Sequence, residues 1–557
     1  MRHLPGFILA ATLVACGAPP SGADAGTDLD ASLPVDAGVD CNAGVDAGDV
    51  IAHTEQGPVR GLANADGSRS FLGIPFAKPP VGALRWRPPE RDLACWSGVR
   101  DATQWGPACP QLEQSQGMPF DAGAPLIGQE DCLTLNVFTP TAPTPDAGLP
   151  VMVFIHGGGN TLGATSEEAG ATGVRLYDAS ALAARGRVVV VSMEYRLGVL
   201  GFLTLAQLDA EGDAGVSGNY GLMDQQLALQ WVQRNIAGFG GDPSRVLLFG
   251  ESAGAVDTCM HLAAPGSRGL FHRAAIESGS CIALTAAEKR GEGATWLAAT
   301  GCGAASDVTA CLRAKTPEEL IRAYPVPVNV GSRRPTVSWN PNVDGVVLAA
   351  NPLDALRAGS AADVPVLVGH NREETNLTMP LITTEAEYRA ALVGMVGATL
   401  ADQVLQRYPV ATYGSPRKAL VQVTTDVFFG CQARMTSRAA ALGHPTTPVY
   451  RYLFSHAPNA VRGAFHGSEL PYVFQRVSAL TATPTIADLA VEASMLSTWT
   501  RFAATGSPEG GGVTWPRLSS SETMLEFEST LATQSGWRTS ECDFWDQLGG
   551  VSIPAPP

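Results

Sequence analysis

The chain has 557 residues, a formal net charge of −16 and 45% hydrophobic residues, enough apolar material for a large core. Such acidity argues against nucleic acid and anionic membrane surfaces as partners. Beyond the N-terminus no stretch reaches the ~20 apolar residues of a spanning helix, and the chain reads as a soluble, globular protein.

At the start, Arg2 and His3 precede an apolar stretch, Leu4 to Val14, too short to span a bilayer and suited to an export signal. Leu13-Val14-Ala15-Cys16 is similar to a bacterial lipobox, so residues 1–16 read as a lipoprotein-type signal with Cys16 lipidated. The protein is then expected to be exported and lipid-anchored on the cell envelope. The alternative is a signal cleaved near Ala18 and a secreted soluble protein. Residues 17–50, with Asp-Ala-Gly at Asp24, Asp36 and Asp46, bury too little surface to fold and read as a disordered tether. The triplet returns at Asp121 and Asp146, expected in surface loops. Setting Cys16 aside leaves ten of the eleven cysteines, an even set that reads as disulfides after export. No C-x-x-C pair or His cluster suggests a metal.

Residues 51–550 read as one α/β domain, a large mostly parallel sheet flanked by helices. Ile51 to Arg60 and Ser70 to Gly73 look like strands of an N-terminal meander. Leu149 to Ile155, Val188 to Val191 and Val246 to Phe249 are apolar runs expected to be strands buried on both faces. Met223 to Ile236 has helical spacing. Thr285 to Tyr324 is more helical and could be a cap inserted over the site. Val364 to Val368 and Val449 to Phe454 are further strands. Ile486 to Ala503 reads as an amphipathic helix with Leu489, Ala493, Leu496, Trp499 and Phe502 on one face.

Gly250-Glu251-Ser252-Ala253-Gly254 directly follows a strand and opens a helix. A serine at G-x-S-x-G spacing there is the nucleophile elbow of α/β-hydrolases. Ester cleavage by serine also needs a base, an acid to orient it and donors for the oxyanion. In this architecture the order is serine, acid, histidine. Downstream stand His444, His456 and His466. His466 is favoured by its Gly-flanked loop after a strand. The acid should follow a strand, and Glu373 and Glu374 both fit, with Asp344 and Asp426 as fallbacks. His156-Gly157-Gly158-Gly159, straight after a buried strand, offers backbone N–H groups to a developing negative charge.

These motifs resemble the type-B carboxylesterases, the cholinesterase-like branch of the α/β-hydrolases. The matching pieces include Phe71-Leu72-Gly73-Ile74-Pro75-Phe76-Ala77, Glu130-Asp131-Cys132-Leu133 and Asn219-Tyr220-Gly221-Leu222. The elbow, Phe465-His466-Gly467-Ser468-Glu469-Leu470 and Trp499-Thr500-Arg501-Phe502 complete them. The resemblance implies Ser252 as nucleophile, His466 as base and Glu374 as acid, since Gly-x-Asn-x-x-Glu falls on Gly369, Asn371 and Glu374. It implies oxyanion donors at Gly158, Gly159 and Ala253, with Glu251 and Ser278 in support and no cofactor. It also implies disulfides Cys109–Cys132, Cys302–Cys311 and Cys431–Cys542. Elimination adds Cys259–Cys281 and Cys41–Cys95. The family's glycine after the acid is Thr375 here. Met118-Pro119-Phe120-Asp121-Ala122-Gly123 lacks the tryptophan that binds choline in cholinesterases, so choline esters are not expected as dedicated substrates. A small-molecule ester is the expected substrate. A lipase or amidase of the same fold, or a non-catalytic surface binding protein, is the alternative.

Overall fold

The structure is a computed structural model that describes residues 41–42, 50–113, 121–141, 148–169, 172–212, 214–327, 336–457, 459 and 461–548. The expected signal with Cys16, most of the tether and the Asp146 loop lie outside the described residues. Among those described, no helix is long and apolar enough to cross a membrane.

An 11-stranded sheet forms the centre. In chain order its strands are β1 (Leu62–Ala63), β2 (Arg69–Pro75), β3 (Thr134–Thr139), β4 (Leu149–Ile155), β5 (Val189–Met193) and β6 (Gly241–Glu251). β7 (Arg273–Glu277), β8 (Val366–Asn371), β9 (Val449–Phe454), β10 (Met524–Phe527) and β11 (Ala532–Gln534) follow. Their spatial order is β11-β10-β9-β8-β7-β6-β4-β5-β3-β2-β1. The run from β10 to β5 is parallel throughout, and antiparallel strands close both ends. Ile51–Thr54 and Gly57–Arg60 form a hairpin in a separate small sheet with Arg100–Asp101.

The apolar runs fold as strands because both faces are covered, so no polar alternation is needed. Along β4, Val151, Val153 and Ile155 point into one core layer, while Met152 and Phe154 point into the other. β6 repeats this, with Val246 and Leu248 on the first side and Leu247 and Phe249 on the second. Each such buried side chain contributes roughly 1.5–3 kcal/mol. On the first layer lie helices α1 (Tyr220–Asn235) and α2 (Ala253–Ala263). The segment after β7 is helical as expected, opening with α3 (Ala286–Thr300) behind a Thr285–Glu288 capping box.

Helix α4 (Ile486–Thr505) covers the second layer with Leu496, Trp499 and Phe502 of the expected face, but not with Leu489 and Ala493. Val491, Met495, Trp499 and Phe502 are buried, whereas Leu489 is 50% exposed and Ala493 lies on the surface. Trp499 donates its indole N–H to Glu277 Oε1 at 2.6 Å.

Five disulfides, Cys41–Cys95, Cys109–Cys132, Cys259–Cys281, Cys302–Cys311 and Cys431–Cys542, join every cysteine except Cys16. So many bridges point to an exported protein, because thiols in the cytosol are kept reduced.

Candidate active site

The carboxyl ends of β4, β6, β7, β8 and β9 converge on one edge of the sheet. Open parallel sheets place their sites at that edge. Register brings the ends level: Gly250 pairs with Ile155, Glu251 with Glu277, and Asn371 with Phe454.

At the tip of β6 the chain turns within one residue into α2. Ser252 sits there at φ 58°, ψ −120°, a conformation that non-glycine residues rarely hold. Its N–H is fixed by the Glu277 carbonyl at 3.0 Å. The flanking glycines are needed for space. A Cβ on Gly254 would lie 2.0 Å from the Ile155 carbonyl oxygen, and one on Gly250 2.4 Å from the Gly254 backbone. Gly254→Ala is therefore expected to cost about 3 kcal/mol or more, since strand β4 must shift. Urea unfolding of variant against parent measures this.

His466 and Glu374 come from the loops after β9 and β8. His466 N–H donates to the Glu374 carbonyl at 2.9 Å, so backbone as well as side chain ties the two loops together. Between the side chains, Nδ1 of His466 lies 2.7 Å from Glu374 Oε2. Glu374 is fully enclosed, and its Oε1 accepts from Ser278 Oγ at 2.6 Å and from Asn371 N–H at 2.7 Å. Asn371 in turn donates to the Phe465 carbonyl at 2.8 Å and to Glu469.

The rival residues go elsewhere. Glu373 accepts from Ala464 N–H at 3.1 Å. Asp344 accepts from Asn219, and Asp426 pairs with Arg538 and Tyr408. His456 lies 2.7 Å from Asp488, and His444 faces the Ala361 carbonyl. Thr375, where the family has glycine, is fully buried and pairs with Thr424 Oγ1 at 2.6 Å.

Nε2 of His466 is buried without a hydrogen-bond partner, so Ser252 Oγ does not bond to it in this state. Glu251 Oε1 lies 3.2 Å from that nitrogen and is itself without a hydrogen bond. Burial opposes charge on both groups. The Glu251 carboxyl is pushed up by desolvation, against the pull of the His466 ring beside it. Desolvation would lower His466, but Glu251 and Glu374 outweigh it and raise the imidazole.

The glycine loop after β4 carries Gly158 at φ 109°, Gly159 at φ 63° and Asn160 at φ 52°. Among the described residues the N–H groups of Gly158, Gly159 and Ala253 find no acceptor, as donors waiting for a ligand would. The loop is held from behind. Tyr195 Oη lies 2.9 Å from the His156 carbonyl and 3.0 Å from Asn160 Oδ1, and Asn160 donates to Asp257. Gln111 clamps the far end, accepting from Gly163 N–H at 2.7 Å and donating to its carbonyl at 2.8 Å. His156 packs on Tyr195 with ring centroids 4.5 Å apart, and burial lowers its imidazole to about 4, so it stays neutral.

Sequence reasoning missed several of these parts. The Phe429 ring lies 5.0 Å from that of His466 and is delivered by a π-helical turn, Asp426–Gly430, for which no periodic pattern exists. The Gln111 clamp joins residues 52 apart and leaves no local signal.

A serine on a strained strand-to-helix turn, a carboxylate-backed histidine and a glycine loop define an α/β-hydrolase of the serine-hydrolase class. Residues 48–545 match the model of the carboxylesterase family, and the chain belongs to that family. It is similar to a fumonisin B1 esterase of Sphingopyxis macrogoltabida, 36% identical over 87% of this chain and 88% of that one. A para-nitrobenzyl esterase of Bacillus subtilis (strain 168) is also 36% identical, over 84% of this chain and 92% of that protein. Among solved structures, a PNB esterase superposes with a TM-score of 0.75 at 33% identity, covering 89% of this chain and 100% of its own. The protein is a hydrolase of carboxylic esters.

Proposed function

We propose that Ser252, His466 and Glu374 are nucleophile, base and orienting acid, and that hydrolysis runs through an acyl-enzyme. The observation that carries this reading is the 2.7 Å contact between His466 Nδ1 and the enclosed Glu374 carboxylate, beside the elbow. Glu374 holds the imidazole in the tautomer with Nδ1–H, leaving Nε2 to accept. As Ser252 Oγ attacks the ester carbonyl, Nε2 takes its proton. Such bonds often tighten only with substrate bound. The oxyanion rests on the N–H groups of Gly158, Gly159 and Ala253, each worth roughly 3–4 kcal/mol of barrier. The imidazolium then protonates the departing alkoxide as its C–O bond breaks. Water, deprotonated by the same nitrogen, attacks the acyl-serine and releases the acid. Glu251 and Ser278 support the base and the acid. No cofactor enters.

The acid limb of kcat/KM tests this. The base must be neutral, and the carboxylates of Glu251 and Glu374 favour its charged form, so the limb should stand above the ordinary imidazole range. Glu251→Gln removes one carboxylate, and the limb is expected to move to lower pH by on the order of one unit. Initial-rate profiles with p-nitrophenyl acetate measure it. A flat acid limb in the parent enzyme would overturn the role of His466.

The reading includes placement. Residues 1–16 act as a lipoprotein-type signal, Cys16 carries the lipid and residues 17–50 link the catalytic domain, 51–550, to the envelope, the Cys41–Cys95 bridge tying the end of the link to that domain. Support comes from Leu13-Val14-Ala15-Cys16 and from the Asp-Ala-Gly composition behind it. Radiolabelled palmitate incorporated by the parent and lost in Cys16→Ser is the expected result; release of an unlabelled soluble protein would contradict it.

A further inference from the structure

His156 opens the glycine loop, and its surroundings fix which ring nitrogen carries the proton. Nδ1 lies 2.9 Å from the Gly157 carbonyl, which can only accept, so the ring proton sits on this nitrogen. Nε2 then presents a lone pair. It is enclosed, has no hydrogen-bond partner and stands 3.7 Å from Glu194 Oε2, which is also enclosed and unpartnered. The other oxygen, Glu194 Oε1, accepts from the Thr165 N–H at 2.7 Å and from Thr165 Oγ1 at 2.6 Å. Two acceptors therefore oppose each other across a buried gap unless the carboxyl carries a proton. Among the described residues no lysine or arginine stands within ion-pair distance of Glu194. Burial pushes its carboxyl up to about 7, and Glu167 adds to the rise.

The contact bears on catalysis through the peptide that His156 holds. The Gly157 carbonyl and the Gly158 N–H belong to one planar trans unit, in which the two groups point in opposite directions. A carbonyl fixed on Nδ1–H thus fixes the direction of the Gly158 N–H, one of the proposed oxyanion donors. Among the described residues no other group donates to that carbonyl. An ionised Glu194 would set its charge against the Nε2 lone pair, weakly screened at this depth. The ring relieves the conflict by carrying its proton on Nε2. Nδ1 then turns a lone pair on the Gly157 carbonyl, and the peptide loses its hold.

Resting on the catalytic reading above, we infer that Glu194 acts as a neutral carboxylic acid facing His156 Nε2, that through His156 it positions the Gly158 oxyanion donor, and that its ionisation releases that donor. Glu194 and His156 are positioning residues.

Other titratable groups surround the pair. Burial keeps the Tyr195 phenol, stacked on the His156 ring, neutral. The half-buried Glu167, and Asp257, which reaches the loop through Asn160, are both pushed up to about 7 by desolvation. Glu251 faces Gly157, where a Cβ would lie 3.0 Å from its Oε2, and pairs with His466. Parent and Glu194 variant share all of these, so the ratio of their rates isolates Glu194.

The test measures kcat on p-nitrophenyl acetate per site titrated with an organophosphate, so misfolded protein is not counted. Glu194→Gln keeps the shape, with its amide oxygen on Thr165 and its NH₂ toward Nε2 at every pH. The variant-to-parent ratio of kcat should climb by about tenfold between about pH 6 and about pH 9, as Glu194 ionises in the parent alone. His156→Phe keeps a ring on Tyr195 but removes the bond to Gly157. It should lower kcat by about 10²-fold or more, the scale of one oxyanion donor, with KM little changed. A trifluoromethyl ketone, whose adduct with the serine bears the oxyanion, should lose affinity for His156→Phe by a similar factor. Adding Glu194→Gln to His156→Phe should leave the pH dependence as it was. A ratio that stays flat across that range would overturn the inference, and so would His156→Phe raising KM while sparing kcat and the ketone. Failure of the organophosphate to label Ser252 in the parent protein would instead overturn the catalytic reading.

Discussion

Ser252→Ala is expected to lower kcat on p-nitrophenyl acetate by on the order of 10⁵–10⁶ while leaving the fold intact. The size follows from position. Ser252 is the only hydroxyl at the turn between β6 and α2, where its backbone is fixed at φ 58° by the Glu277 carbonyl behind it and the helix ahead. Alanine keeps the same Cβ and demands no new space, so the elbow persists. Its hydroxyl makes no side-chain bond that folding would miss, as Nε2 of His466 is already without a partner. Thermal unfolding should therefore stay within a few degrees of the parent. Circular dichroism melts beside initial rates measure both parts.

Glu374→Gln should cost about 10⁴ in kcat, the scale seen when the orienting carboxylate of such a triad becomes an amide. Three donors converge on this one group: His466 Nδ1–H on Oε2, and Ser278 Oγ–H and Asn371 N–H on Oε1. An amide can accept at one atom only. If its oxygen keeps Ser278 and Asn371, its NH₂ faces Nδ1, and the ring must carry its proton on Nε2, where the serine proton should go. Activity lost through the tautomer should recover partly as pH rises, because hydroxide can replace the base. The pH–rate profile of the variant checks this. Loss of activity with loss of the folded state would instead mark Glu374 as structural.

Much of this architecture was legible because two physical signals are strong. Runs such as Leu149 to Ile155 and Val449 to Phe454 are apolar at every position only when both faces are buried, and both strands appear at those residues. β8 was displaced: the pattern suggested Val364 to Val368, but the strand runs Val366–Asn371. Pro365 has no N–H to give the ladder, while His370 and Asn371 gain backbone partners from Leu453 and Phe454. β10 and β11 lacked a long apolar run and were not anticipated. At the site, spacing could not separate Glu373 from Glu374, since adjacent loop residues differ only in where each side chain turns. Geometry separates them, one on the Ala464 amide and the other on the His466 ring. Phe429 and Gln111 act across long sequence separations, and no local pattern encodes them.

The central claim is that Ser252 becomes covalently acylated during turnover. Acid quench of the enzyme in the steady state with p-nitrophenyl acetate, followed by peptide mass spectrometry, tests it most directly. One acetyl group on the peptide bearing Ser252, absent in Ser252→Ala and accumulating in Glu374→Gln if deacylation slows more than acylation, is the predicted result. Acetyl groups on other residues alone, with turnover undiminished in Ser252→Ala, would contradict it.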